Sequence, residues 1–189
     1  MEVHGECLID RLIRIFMAHR AEEILVICNS LTTLVSSHLA DIQSQGLHGQ
    51  RVPLRFIVKT TPSSMHSFYE LKPYLGKGKF CLTTVDTIFR EAEFKRYIDA
   101  FKVSDKDGVM AVTDFVDDEK PLWVSTNTDL MITGFHDSQE LFSESAVGQD
   151  GMSVCKYISG GIYCLNEKAF DVLDQCIAEG QSRMSNFQR

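Results

Sequence analysis

Between residues 8 and 101 the chain repeatedly exchanges one hydrophobic period for another, and few folds tolerate that pattern. Ile24-Leu25-Val26-Ile27-Cys28 is a continuous apolar run of strand length. Such a run reads as a strand buried on both faces. Residues 54–59 and 80–85 read the same way. Helical spacing links Leu8, Ile9, Leu12, Ile13, Phe16 and Met17, then Leu31, Leu34, Val35, Leu39 and Ile42. It returns at Met65, Phe68, Tyr69 and Leu75, and again at Phe94, Tyr97, Ile98 and Phe101. Strands alternating with helices at short spacing predict a parallel sheet with helices on both faces. Such a chain normally opens on a strand, yet nothing before Leu8 can serve as a buried one. The sheet is expected to lack its first member.

After Gly108 the rhythm changes. Residues 109–115 read as a strand, and 122–125 with 131–135 as a hairpin around Asn127-Thr128-Asp129. The polar stretch 136–153 reads as a loop. A strand over 156–165 contains Gly160-Gly161, and Asn166 opens a last helix carrying Phe170, Leu173, Cys176 and Ile177 that Gly180 can end. No repeat or linker interrupts the chain. The expectation is one α/β domain over residues 1–189, three-layered, with a mixed, mainly parallel sheet.

A formal net charge of −7 excludes a broad electrostatic grip on nucleic acid. Any phosphate ligand must be held by local devices: a metal ion, placed cations or backbone amides. The six cysteines show no C-x-x-C spacing and mostly sit in apolar runs. That predicts free thiols in a reducing, cytoplasmic setting rather than zinc or disulfides. No basic-then-apolar leader opens the sequence, and no apolar run approaches the ~18 residues of a membrane span.

Ligands of open α/β sheets bind beyond the carboxyl ends of the strands. The polar residues expected there are Asn29 and Ser30, residues 59–64, Asp86 with Thr87, and Asp114. Asp86 follows a buried strand directly, a place that suits Mg²⁺, which takes one or two protein oxygens and the rest from phosphate and water. It equally suits a helix cap. Lys59, Ser63 and Ser64 offer a cation, hydroxyls and amides at a helix start, either an anion site or ordinary capping. Gly160 and Gly161 mark close approach by a ligand or a β-bulge. Gly76-Lys77-Gly78-Lys79 precedes a strand and reads as a turn. The six histidines lack metal-ligand spacing, His66 alone standing near the Ser-rich cap. Neither a G-x-S-x-G elbow nor a P-loop is present.

In order and spacing these segments resemble the sugar-phosphate nucleotidyltransferases, a branch of the nucleotide-diphospho-sugar transferase superfamily. Residues 3–12 resemble the family's passage into its first helix, and 23–29 its second strand. Residues 55–68 resemble the strand, loop and helix that meet the nucleobase, 81–89 the strand ending in the metal-binding aspartate, and 159–165 the G-[IL]-Y strand beside the sugar. The resemblance implies a GT-A-like fold. It also implies transfer of a nucleotidyl group from a nucleoside triphosphate to a sugar-1-phosphate, with release of pyrophosphate. It places Mg²⁺ on Asp86, the nucleotide against Lys59, Ser63 and Ser64, and the sugar against Gly160 and Gly161.

The family's G-x-G-[ST]-R loop and following Lys have no counterpart here. Ser64-Met65-His66 stands where the family has Gly and small residues, and a second metal-binding Asp is not reached before Arg189. The expectation is therefore a chain inactive as it stands, with an uncovered sheet edge open to self-association. Two other readings remain: a GT-A-type glycosyltransferase, although V-D-T-I at 85–88 lacks a D-x-D pair, and a non-catalytic nucleotide- or sugar-binding domain.

Overall fold

The computed structural model describes residues 2–3, 5–31, 33–116, 120–138 and 154–189. The chain opens with a two-residue hairpin, β1 (Glu2–Val3) and β2 (Glu6–Cys7), that pairs only with itself. Helix α1 (Leu8–Ala18) buries Leu8, Leu12 and Ile13 of the expected stripe, leaves Ile9, Phe16 and Met17 half-buried, and also buries Ile15, which the stripe omitted. Then come β3 (Ile24–Cys28), α2 (Thr33–Gln45), β4 (Leu54–Val58), α3 (Ser64–Leu71) with a 3-10 turn over Lys72–Tyr74, and β5 (Phe80–Thr83). Helix α4 (Glu91–Val103) leads to β6 (Gly108–Thr113), β7 (Trp123–Thr126), β8 (Ile132–His136), the long β9 (Val154–Leu165), α5 (Ala169–Ala178) and a short α6 (Met184–Gln188).

The hairpin expected around Asn127 forms between β7 and β8. Its turn is held by the Asn127 side-chain oxygen, which accepts from the amides of Asp129 and Met131 at 3.0 and 2.9 Å. Gly180, at φ +72°, ends α5. Most of the loop expected over 136–153 lies outside the described residues; His136 itself closes β8.

The sheet departs from expectation in direction. Among the described residues only β3 and β4 pair in parallel; β5, β6 and β7 all pair antiparallel with β9, and β7 with β8. The sheet is mixed but not mainly parallel. Strand-helix alternation fixes how an element returns, not which neighbour it pairs with. Here the long β9 is the strand on which the larger sheet is built.

Period-2 alternation sorts the helices. Cys81, Ile162 and Cys164 face α1 and α4, in a cluster with Ile15, Phe94, Ile98 and Phe101. Phe80, Leu82 and Leu165 face α3, α5 and α6, with Met65, Phe68, Leu173 and Cys176. Helices thus cover both faces of the five-stranded sheet.

A third cluster joins α1 and α2 to the β3–β4 pair through Ile13, Ile24, Leu39, Ile42 and Leu54. Helix α1 therefore spans both sheets, and Phe16 packs against both clusters. Helix α3 also touches both: it contacts β3, and Phe68 meets Phe80 with ring centroids 5.8 Å apart. Yet among the described residues β3 pairs only with β4, and β5 only with β9. Each sheet ends on an unpaired edge beneath the same two helices.

Candidate functional site

Beyond the carboxyl ends of β3 and β4 the chain opens a cleft of about 460 Å³ lined by Asn29, Leu31, Lys59, Thr60, Ser63 and Ser67, among others. The parallel ladder sets it up: the Lys59 amide donates to the Cys28 carbonyl at 2.8 Å, aligning the two loops. Thr60 Oγ1 then accepts from the Ser30 amide at 3.1 Å and meets Ser30 Oγ at 2.8 Å. Asn29 folds its side-chain oxygen onto the Leu31 amide. Leu31, 82 % exposed, forms one lip of the cleft.

The expected nucleotide-side residues are placed unequally. Lys59 lines the cleft, but its ammonium is 2.7 Å from Glu70 of α3, so its charge is already paired. Ser63 lines the cleft and caps α3, accepting from the His66 amide at 3.4 Å and meeting His66 Nδ1 at 2.9 Å. Ser64 is the exposed first residue of that helix, off the cleft wall. The capping reading of this segment thus belongs to Ser63.

A second group of residues gathers after β5. Asp86 is exposed in a turn that the Thr87 amide closes on the Thr84 carbonyl at 3.4 Å, with the two threonine hydroxyls 2.9 Å apart. It does not cap α4, which starts at Glu91 with Arg90 before it and no side-chain cap. Gly161 lies alongside: a Cβ there would sit 3.4 Å from Thr87 Oγ1, and its φ of +74° is one that L side chains avoid. At Gly160 a Cβ would come 2.9 Å from the Ala111 carbonyl oxygen of β6. The β6–β9 register slips at this point, so the glycine pair is also a bulge. Asp86, Gly160 and Gly161 do not line the β3–β4 cleft. Asp114 is exposed past the end of β6.

Two arginines that sequence reasoning passed over hold the Asp86 segment. Arg11 of α1 donates to the Phe89 carbonyl at 2.7 Å, its guanidinium 4.9 Å from the Phe89 ring centre. Arg14 bonds both carboxylate oxygens of Glu6, at 2.9 and 3.0 Å, and Glu91 at 2.9 Å. Those hydrogen bonds hold the Glu6 and Glu91 carboxyls below the usual range and push the guanidinium pKa up. Both arginines lie on the polar face of an amphipathic helix, where their spacing of three was the available signal.

Gly78 and Lys79 are structural. The Gly78 amide donates to Glu167 at 2.9 Å, and Lys79 bonds the Phe101 and Ser104 carbonyls, each at 2.7 Å, closing the end of α4.

Among the described residues no three His, Cys, Asp or Glu side chains gather as a metal cluster. Asp86 shares a turn with Thr84 and Thr87, so one carboxylate and two hydroxyls are the hard-oxygen donors of this segment. That set fits an ion that shares its shell with phosphate and water, and not a cage of protein ligands.

No protein-family model matches the chain, and no characterised protein matches it in sequence. Solved structures do match in shape. The inositol-1-phosphate CTP transferase from T. maritima superposes with a TM-score of 0.70 at 13% identity, covering 100% of this chain and 69% of the transferase. The chain shares its fold with that transferase. A UDP-glucose pyrophosphorylase complexed with UDP-glucose gives a TM-score of 0.72 at 10% identity, covering 100% of this chain and 76% of that one. An apo UDP-glucose pyrophosphorylase gives 0.68 at 11%, covering 93% and 70%. The nucleotidyltransferase resemblance drawn from the sequence therefore holds at the level of the fold.

Proposed function

We propose that this chain, read as one three-layer GT-A-like domain, binds a nucleoside triphosphate and a sugar-1-phosphate as a nucleotidyltransferase does. In that reaction an oxygen of the sugar phosphate attacks the α-phosphorus. One P–O bond forms, the α–β bridge breaks, and pyrophosphate carries the electron pair away. The observation that carries the reading is the exposed Asp86 carboxylate after β5, set beside the Gly161 strand in a fold shared with such enzymes. Mg²⁺ held on Asp86 would offset phosphate charge, which is most of what this chemistry asks of a protein. Lys59 and Ser63 of the cleft fall to the nucleotide, with Ser64 next to them in sequence though off the cleft wall, and Gly160 and Gly161 to the sugar.

Residues 1–189 are proposed to bind without turnover. Of the described side chains lining the cleft only Lys59 is cationic, and Glu70 already pairs it. Against a net charge of −7, a triphosphate finds little positive charge here. The unpaired edges of β3 and β5, both under α1 and α3, are where a further strand would complete the sheet. Until covered, those edges and the exposed Leu31 and Leu34 offer surfaces for self-association. The reducing, cytoplasmic setting draws support from six free cysteines, and no described helix is long and apolar enough to cross a membrane.

The non-catalytic binding domain is the second reading, favoured by the Lys59–Glu70 pair. The glycosyltransferase reading has only the single carboxylate of the 85–88 segment to rest on. Equilibrium binding of the common nucleoside triphosphates, with pyrophosphate release followed in parallel across sugar-1-phosphates, separates these. Binding without release is expected. Robust release contradicts the inert part of the proposal, and no nucleotide binding at all contradicts the whole of it.

A further inference from the structure

Two thiols that the proposed chemistry does not use stand directly opposite one another. Cys81 of β5 and Cys164 of β9 are register partners in an antiparallel pair. Whether such a pair can be bridged depends on which kind of pair it is. Antiparallel partners alternate between wide pairs, which exchange both backbone hydrogen bonds, and narrow pairs, which exchange none.

On its other side Cys164 is opposite Val109 of β6. Its amide donates to the Tyr97 hydroxyl at 2.8 Å, and that hydroxyl donates to the Val109 carbonyl at 2.5 Å. A residue's N–H and C=O point to the same side of its strand. Cys164 therefore turns its backbone groups toward β6 and away from Cys81. The Cys81–Cys164 pair is of the narrow kind, with Cα atoms about 4.5 Å apart, inside the roughly 4.4–6.8 Å that a disulfide spans.

We infer that Cys81 and Cys164 form a redox-modification site, a dithiol that a hydroperoxide converts into a disulfide across β5 and β9. In the first step a thiol sulfur attacks the peroxide, becomes a sulfenic acid and releases one molecule of water or alcohol. In the second the other thiol attacks that sulfur and releases water. Both protons leave in those products, and the peroxide takes up the two electrons that the sulfurs lose.

Access is through β5. Among the described residues its second edge is unpaired, and Cys81 is only partly buried, whereas Cys164 is fully enclosed. The remaining free cysteines (Cys7, Cys28, Cys155 and Cys176) do not stand opposite a second cysteine in any strand register. The neighbouring Cys164 thiol and burial push the Cys81 thiol well above its ordinary range, so its attack on peroxide is slow near neutral pH and quickens as pH rises. The new bond would tie the strand leading to Asp86 to the strand carrying Gly161.

The test is peroxide treatment of the folded, reduced chain, followed by tryptic mapping without reductant. The expected product links residues 80–90 to 157–168 with the loss of two hydrogens, and a phosphine reverses it. The oxidised chain should melt about 5–10 °C higher, since the bridge closes a long loop. Cys81→Ser should abolish both the link and the shift. Should that variant fail to fold, Cys164→Ser and the wild-type map decide. Recovery of Cys81 and Cys164 as unlinked thiols, a link to another cysteine, or a link that forms only in denaturant would overturn the inference.

Discussion

Strands β3 and β9 carry similar apolar weight and meet opposite fates. β9 lies between partners, and its Ile162, Tyr163 and Cys164 are 4 %, 9 % and 0 % exposed. β3 has the sequence of an interior strand, yet four of its five residues are only half-buried, because among the described residues it pairs on one side alone. β5 is half-buried throughout for the same reason. A run such as Ile24–Cys28 records the environment a strand is suited to. It does not guarantee that the neighbour is present.

That contrast predicts unequal costs of truncation. Ile162→Ala should lose roughly 2–5 kcal/mol, as expected for a well-packed core site. Val26→Ala, partly exposed on β3, should lose about 1 kcal/mol or less. Urea unfolding of both variants checks it, and equal losses would mean that β3 is as well covered as β9.

At the join between Asp86 and β9, Gly161→Val should cost about 1–2 kcal/mol from its left-handed backbone alone. It should weaken sugar-1-phosphate binding beyond that loss of stability. Unchanged sugar binding by the folded fraction would leave the glycines a backbone role only.

Much of the fold was legible. The principal strands and helices follow from period alone, and the β7–β8 turn from Asn127. Pairing direction was not, because it depends on β9, which no local pattern marks as central. The short α6 lies in a polar tail with little periodicity, and Phe187 gains its place only by packing on Phe68, at 5.5 Å between ring centroids. At the site, Asp86 stood out because it follows an apolar run. The neutralisation of Lys59 by Glu70 did not, since the partners are eleven positions apart, across a turn of unknown angle. The Arg14 network was hidden likewise, because it joins the hairpin, α1 and α4.

That network gives a smaller, pH-dependent effect. Glu6 and Glu91 have folded-state pKa values lowered by Arg14, so their contribution is fully present above the unfolded value and lost as pH falls through the folded one. Because the groups are partly exposed, the contribution is under about 1 kcal/mol. Arg14→Ala should lower stability at pH 7 and flatten its decline between about pH 5 and 3. Unfolding curves at the two ends of that range show it, and a variant as acid-sensitive as the wild type would remove the network from the account.

The reading of this chain turns most on Asp86. Titrating Mn²⁺ into the folded chain with a nucleoside triphosphate present, and following the bound metal spectroscopically, probes it directly. Nucleotide-dependent metal binding is expected, and Asp86→Asn should weaken it at least ten-fold with an unchanged unfolding curve. Equal metal binding in the folded variant would contradict the claim that Asp86 anchors the ion.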